Sequence, residues 1–222
     1  MNQQIDQKLI CHQFRRAADS YDAEAVIQRR TADRLLSVLA THSTNEPQRV
    51  LEIGCGTGLL TRRLVQQHVG GIQELVLNDL VPDFSAACAA IAPNAVFLPG
   101  SIESVPLSGR FDLIISSSAL HWLRDLNSLL AKLSSHLKQA GIIACSLYGP
   151  DNLREIKELT GIGLPYRSLE EISSIFSRHF TLVHSSEVLE ELRFASPEEM
   201  LSHLRQTGVN AVSRQTWTPA KM

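Results

Sequence analysis

Cys11, Cys55, Cys88 and Cys145 are the only cysteines in 222 residues, and no two form a CxxC pair. Their wide spacing argues against a zinc ribbon or a disulfide-built scaffold and fits reduced thiols. The eight histidines include no HExxH. His179 and His184 come nearest to a pair and read as surface or strand-edge positions, so no metal is expected. No apolar run reaches membrane-spanning length, and the opening "MNQQIDQKLI" is too polar for a secretory signal. A formal net charge of -2 supplies no strongly basic surface. Neither a nucleic acid nor a membrane is therefore an expected partner, and a soluble cytoplasmic protein is expected. There is no internal repeat, and no low-complexity segment beyond Ser116 to Ser118.

What is present is enough apolar residue, 44% of the chain, for one sizeable core. Residues 5 to 40 carry a helical pattern in two pieces, with Ser20 or Asp22 available to cap the second. From "RVLEIG" onward, short apolar strands alternate with helices: "QELVLND", "AVFLPG", "FDLIISSS" and "GIIACSLYG" are the later strands. Between the last two, "WLRDLNSLLAKLSSHLK" reads as a long amphipathic helix. Buried strands separated by helices predict a doubly wound α/β fold around a mainly parallel sheet. Residues 1–45 are expected to form a helical lid and substrate segment, and 46–222 the ligand-binding domain. Beyond Pro150, helices are predicted over "DNLREIKELTGIG", "SLEEISSIFSRHF" and "SPEEMLSHLRQTG". The last of these has Ser196 as cap, Pro197 in the first turn and Gly208 as terminator. "TLVHSSEVLEELRF" predicts a long strand or hairpin, and the tail "VNAVSRQTWTPAKM" has no clear period.

The stretch "VLEIGCGTGLL" places Gly54, Gly56 and Gly58 between a strand and a helix. Glycine is entropically costly there unless the backbone must bend or something must lie against it. The spacing G-x-G-x-G is neither the dinucleotide G-x-G-x-x-G nor a P-loop, since no Lys-Ser/Thr follows. Asp79 ends the second strand, where a carboxylate can accept both hydroxyls of a ribose at once. Strand, Glu52, three glycines, helix, strand and Asp79 together point to a bound nucleoside.

"VLEIGCGTG", "LVLNDL" and "FDLIISSSALHWLRDL" resemble the class I S-adenosylmethionine-dependent methyltransferases, across residues 48 to 147. The resemblance implies a Rossmann-like fold, with S-adenosylmethionine bound and S-adenosylhomocysteine released. It also implies cofactor contacts from Glu52, Gly54, Cys55, Gly56, Gly58, Asp79, Leu80, Ser101, Ile102 and Ser117. Cys55 reads as a space-filling residue rather than a nucleophile. Many members of the family carry Asp after the third strand. Here Ser101 and Ile102 stand there, leaving a backbone group or Glu103 to meet the adenine amino group.

"FRRAADSYDAEAVIQRRTADRLL", "YGPDNLREI" and "MLSHLRQTGVNAVSRQTW" extend the similarity to the malonyl-acyl-carrier-protein O-methyltransferases of biotin synthesis. That resemblance implies methylation of the free carboxylate of a malonyl thioester, with an acyl carrier protein as partner. It also implies a final sheet strand that this sequence, ending at Met222, is expected to lack. A carboxylate is already ionised at neutral pH, so no general base is required. Positioning candidates are Tyr21 in the lid, His121 after the fourth strand, Tyr148 after the fifth and Arg154, whose guanidinium could fork onto a carboxylate. A methyltransferase for another small carboxylate such as trans-aconitate, or a non-catalytic cofactor-binding protein, remains open at this point. Arg15, Arg16, Arg29, Arg30 and Arg34 lie among acids and read as a mixed solvated surface.

Overall fold

The computed structural model describes residues 6–43 and 46–209; the aperiodic tail from residue 210 lies outside that range. Two N-terminal helices come first, α1 (Gln7–Glu24) and α2 (Val26–His42). The sheet follows: β1 (Arg49–Ile53), α3 (Leu59–Gln67), β2 (Glu74–Asp79), α4 (Phe84–Ile91), β3 (Val96–Pro99), β4 (Phe111–Ser117), α5 (Leu126–Ser135) and β5 (Leu137–Ser146). All strands are parallel, in the order β3-β2-β1-β4-β5. The order reverses between β1 and β4, which opens a crevice beyond the carboxyl ends of the strands.

Period-two alternation divides the core between the two faces. Val50, Leu75, Leu77, Leu113 and Ile115 pack on one side with Leu36 and Leu39 of α2 and Leu60 and Leu64 of α3. Leu51, Ile53, Val76 and Ile114 pack on the other with Leu126, Leu129, Leu130 and Leu133 of α5. Leu64, Leu130 and Leu133 are fully buried, each contributing roughly 2 kcal/mol of transfer free energy. Because α2 shares this core, it belongs to the sandwich, and only α1 stands over it as a lid.

Three local expectations are corrected. Ser20 and Asp22 cap nothing: α1 runs on through them, and the helices break at Ala25 without a side-chain cap. Ser20 instead donates from Oγ to the Gln206 carbonyl at 2.9 Å. The long helix predicted over 122–138 is shorter, because Leu120–Trp122 form a separate 3₁₀ turn and β5 already begins at Leu137. The predicted strand or hairpin over 181–194 has no regular structure. Its apolar side chains face solvent, Val183 and Leu189 each 68% exposed. The segment leans on α2 through an Arg30–Glu190 ion pair of 2.9 Å and a His42–His184 ring contact of 5.2 Å, and does not pair with β5. Among the described residues no strand follows β5.

The three later helices form as predicted. They are α6 (Arg154–Thr160), α7 (Leu169–Ser177), which has a complete Ser168–Glu171 capping box, and α8 (Pro197–Gln206). Ser196 accepts from the Glu199 amide at the head of α8, and Gly208 takes a left-handed φ of 70° just past its end.

Candidate cofactor and substrate site

The loop from β1 to α3 is left-handed at all three glycines, with φ of 72° at Gly54, 53° at Gly56 and 86° at Gly58. Two of them differ in why glycine is needed. A Cβ at Gly54 would sit 2.3 Å from the Ala119 Cβ, so the turn after β4 lies hard against the loop. A Cβ at Gly56 would meet nothing within 4 Å, which leaves an open face for a ligand beside the backbone. Cys55 turns inward: it is 4% exposed, and its sulfur lies 3.5 Å from that of Cys88. Only its main chain borders the site.

Main-chain hydrogen bonds hold the loop to β2. The Gly54 and Cys55 amides both donate to the Asn78 carbonyl, at 2.8 and 3.1 Å. The Gly56 amide donates to Asp79 Oδ2 at 2.8 Å, and the Val81 amide to Asp79 Oδ1 at 2.8 Å. Both carboxylate oxygens are thus held by main-chain donors and keep further acceptor capacity. Burial raises the Asp79 pKa to about 6, against the opposing pull of the Val81, Gly56 and Leu80 amides. Leu80 follows directly, half-buried. Glu52 lies beneath the loop, 1% exposed, and accepts from Thr61 Oγ1 at 2.8 Å. Burial pushes its carboxyl to about 8. It braces α3 from below rather than facing the crevice.

The turn after β3 is pinned from several directions. Asn78 Nδ2 donates to the Leu98 and Gly100 carbonyls, and Lys132 Nζ to those of Ile102 and Val105. Glu103 Oε1 accepts the Arg124 and Asp125 amides ahead of α5. Ile102 is buried, so its main chain rather than its side chain is placed for the crevice. Ser101 Oγ accepts from Gln7 Nε2 of the lid at 3.2 Å. Glu103, expected as a possible partner of the adenine amino group, is engaged by the Arg124 and Asp125 amides through Oε1; Lys132 was not among the predicted residues, because its contacts are long-range and leave no periodic trace in the sequence.

The lid α1 crosses the carboxyl ends of four strands. Gln7 touches the turn after β3, Arg15 pairs with Asp83 after β2 at 2.7 Å, and Phe14 meets Trp122 after β4 edge-on at 5.8 Å. Asp22 accepts from Thr57 Oγ1 of the glycine loop at 2.5 Å and lies 3.8 Å from Arg62. Tyr21 faces inward from the lid. Burial, then the proximity of Tyr148, Asp79 and Asp22, holds its hydroxyl far above the ordinary range, so it remains protonated.

On the β4–β5 side, Ser117 Oγ accepts from Ser146 Oγ at 3.2 Å, which ties the two strand ends together. His121 is not a solvated loop residue. Its ring lies 5.4 Å from Trp122, 4.9 Å from Tyr148 and 5.9 Å from Tyr166, and its Nδ1 is buried without a hydrogen-bond partner among the described residues. Burial lowers the imidazole to about 3, so it is neutral at physiological pH. Burial also raises the Tyr148 hydroxyl. Tyr166, which the sequence did not single out, completes the group. Arg154 does not join it: half its side chain is exposed, and it pairs with Asp151 at 3.5 Å and Glu155 at 3.8 Å. Among the described residues there is no cluster of three or more metal-ligating side chains, and no helix is long and apolar enough to cross a membrane.

Residues 50–141 match the family model described as "Methyltransferase domain". The chain is similar to the malonyl-[acyl-carrier protein] O-methyltransferase of Bacteroides thetaiotaomicron, 36% identical over 226 residues that cover 96% of this chain and 86% of that protein. It is also similar to the protein of the same name from Chlorobium phaeovibrioides, 39% identical, covering 97% and 85%. Among solved structures, it resembles the N-methyltransferase NodS from Bradyrhizobium japonicum in complex with S-adenosyl-L-homocysteine. That match has a TM-score of 0.54 at 17% identity and covers 68% of this chain and 73% of that one. Phosphoethanolamine N-methyltransferase 2 of Haemonchus contortus gives a TM-score of 0.54 at 19% identity, covering 66% and 36%. These structural likenesses concern the fold.

Proposed function

The chain belongs to the malonyl-[acyl-carrier protein] O-methyltransferases, and from that membership we propose how its residues carry out the transfer of a methyl group from S-adenosylmethionine to a malonyl carboxylate. The crevice fits such a nucleoside by its own chemistry. Gly56 leaves open space beside the backbone, and Asp79, at the adjoining strand end, retains acceptor capacity on both oxygens. Bound there, the cofactor supplies an electrophilic methyl on a sulfonium.

Asp79 accepts the two ribose hydroxyls. The backbone of Gly54 to Gly58 runs along the methionine portion. Leu80, Ser101 and Ile102 frame the base, and the pinned turn at Glu103 keeps that frame rigid. Ser117 fixes the β4 end at the border between the two substrates. Tyr21, kept protonated, donates from the lid toward the reacting groups. No residue needs to act as a base, because the nucleophile carries its charge before it arrives. The work lies in alignment and in removal of water from the carboxylate. The roof formed by α1 accomplishes the second by excluding solvent from the strand ends. The malonyl group enters on the acyl carrier protein, whose bulk stays outside.

The observation that carries the reading is the fixing of Asp79 by the glycine-loop amide. The test is incubation with labelled S-adenosylmethionine and malonyl carrier protein, malonyl-coenzyme A or trans-aconitate. A base-labile methyl ester is expected on the malonyl carrier protein. Ester on none of the three, or only on trans-aconitate, defeats the assignment.

A further inference from the structure

The chain has three tyrosines, Tyr21, Tyr148 and Tyr166, and all three converge on one place. Tyr148 lies near enough to both Tyr21 and Tyr166 to disfavour their ionisation. His121 lies beside both Tyr148 and Tyr166, with a buried Nδ1 that no group among the described residues meets. An unpartnered buried polar atom is costly and rare, and it calls for an explanation. This one sits two residues beyond Ala119, the residue packed against Gly54 of the cofactor loop. Tyr166 adds a second directed group: its oxygen accepts from Asn152 Nδ2 at 2.7 Å, which leaves its proton to be donated elsewhere.

The three rings nearest His121, those of Trp122, Tyr148 and Tyr166, are uncharged, and Arg154 is held at the surface by Asp151 and Glu155. Uncharged neighbours around His121, as found among the described residues, have chemical sense. Attack of a carboxylate on a sulfonium cancels two charges, so a cation on the carboxylate would stabilise the reactant more than the transition state. Uncharged donors orient the same oxygens with less loss of nucleophilicity.

We propose that His121 Nδ1–H and the Tyr166 hydroxyl seat the free carboxylate of the substrate, one donor to each oxygen, and select it over the neutral methyl ester that the reaction forms. No proton is transferred; two hydrogen bonds form with the carboxylate and weaken once one oxygen is methylated. Burial supports the required states, keeping the imidazole neutral and the Tyr166 hydroxyl protonated up to about pH 12. This seat rests on the malonyl-carrier reading above.

The test compares Tyr166→Phe, His121→Leu and His121→Asn with the parent protein. The asparagine amide returns an N–H close to where Nδ1 stood, whereas leucine does not. Steady-state assays give kcat and KM for malonyl carrier protein. Inhibition gives the affinity for the methyl-ester carrier product, and calorimetry gives that for S-adenosylmethionine. Tyr166→Phe and His121→Leu are each expected to raise KM about tenfold, with cofactor and ester affinities unchanged, and His121→Asn to recover most of the loss. Unchanged KM, a parallel loss of ester affinity, or no advantage of asparagine over leucine overturns the seat alone. A parent protein that binds S-adenosylmethionine but methylates no malonyl carrier overturns the substrate reading, and the seat with it.

Discussion

On the β1–β2–β3 side of the crevice, main chain holds main chain. The Gly54, Cys55 and Gly56 amides reach β2, Asn78 clamps the turn after β3, and the one exposed task, an acceptor at Asp79, is fixed by two amides. On the β4–β5 side, the named polar groups are side chains drawn from residues 117 to 166, and one of them, His121, has no partner at Nδ1 among the described residues. The first half suits a ligand common to a large family, because it depends on backbone shape. The second suits a ligand peculiar to one branch, because it depends on which side chains arrive.

If that contrast holds, the greatest loss of cofactor binding follows removal of the Asp79 side chain on the backbone-built half. Asp79→Ala is expected to weaken S-adenosylmethionine about 100-fold in calorimetry, since it takes away charged acceptors for two hydroxyls and the anchor of the Gly56 amide. Affinity within threefold of the parent would place the ribose elsewhere.

The next effect separates two glycines of one loop. Gly54→Ala must push against Ala119 and is expected to cost about 3 kcal/mol in denaturant unfolding, from overpacking and the left-handed backbone together. Gly56→Ala meets open space and is expected to cost only about 1 kcal/mol, while reducing cofactor affinity at least tenfold, because its methyl occupies the ligand's side of the loop. Equal destabilisation by the two would show that Gly56 serves the turn and not the ligand.

The smallest effect is electrostatic. Burial holds Glu52 at about 8 and Asp79 at about 6, both above their ordinary values. The unfolded chain therefore releases these protons first. Each group adds stability that is complete at pH values below the ordinary carboxylate range and is lost as pH rises, through about 6 for Asp79 and about 8 for Glu52. Cofactor-free protein is expected to melt roughly 5 °C higher at pH 6 than at pH 8.5, and Glu52→Gln to flatten the upper part of that slope. A melting temperature that climbs over this interval in the parent would contradict the placement of Glu52.

The same contrast explains what could be read from sequence. The parallel sheet, its five strands and Asp79 were legible because alternation of apolar strand and helix, and an acid at a strand end, are local patterns. The cap of α8 was legible for the same reason. Tyr166 was not, since "GIGLPYRS" has no period and its meaning comes only from contact with His121, 45 positions earlier in the chain. Arg154 was named because a guanidinium can fork onto a carboxylate, a chemical match that says nothing of where the side chain lies. In fact Leu153 enters a left-handed turn with φ of 55°, and α6 carries the guanidinium to the surface. The strand predicted over 181–194 has no partner edge among the described residues, and alternation creates a ladder only where another edge receives it.

A helix fastened across four strand ends ties exchange of the nucleoside to its own contacts. With the nucleoside in the crevice as proposed, the contacts of Gln7, Phe14, Arg15 and Asp22 with the strand-end turns would have to open before the methyl donor is renewed.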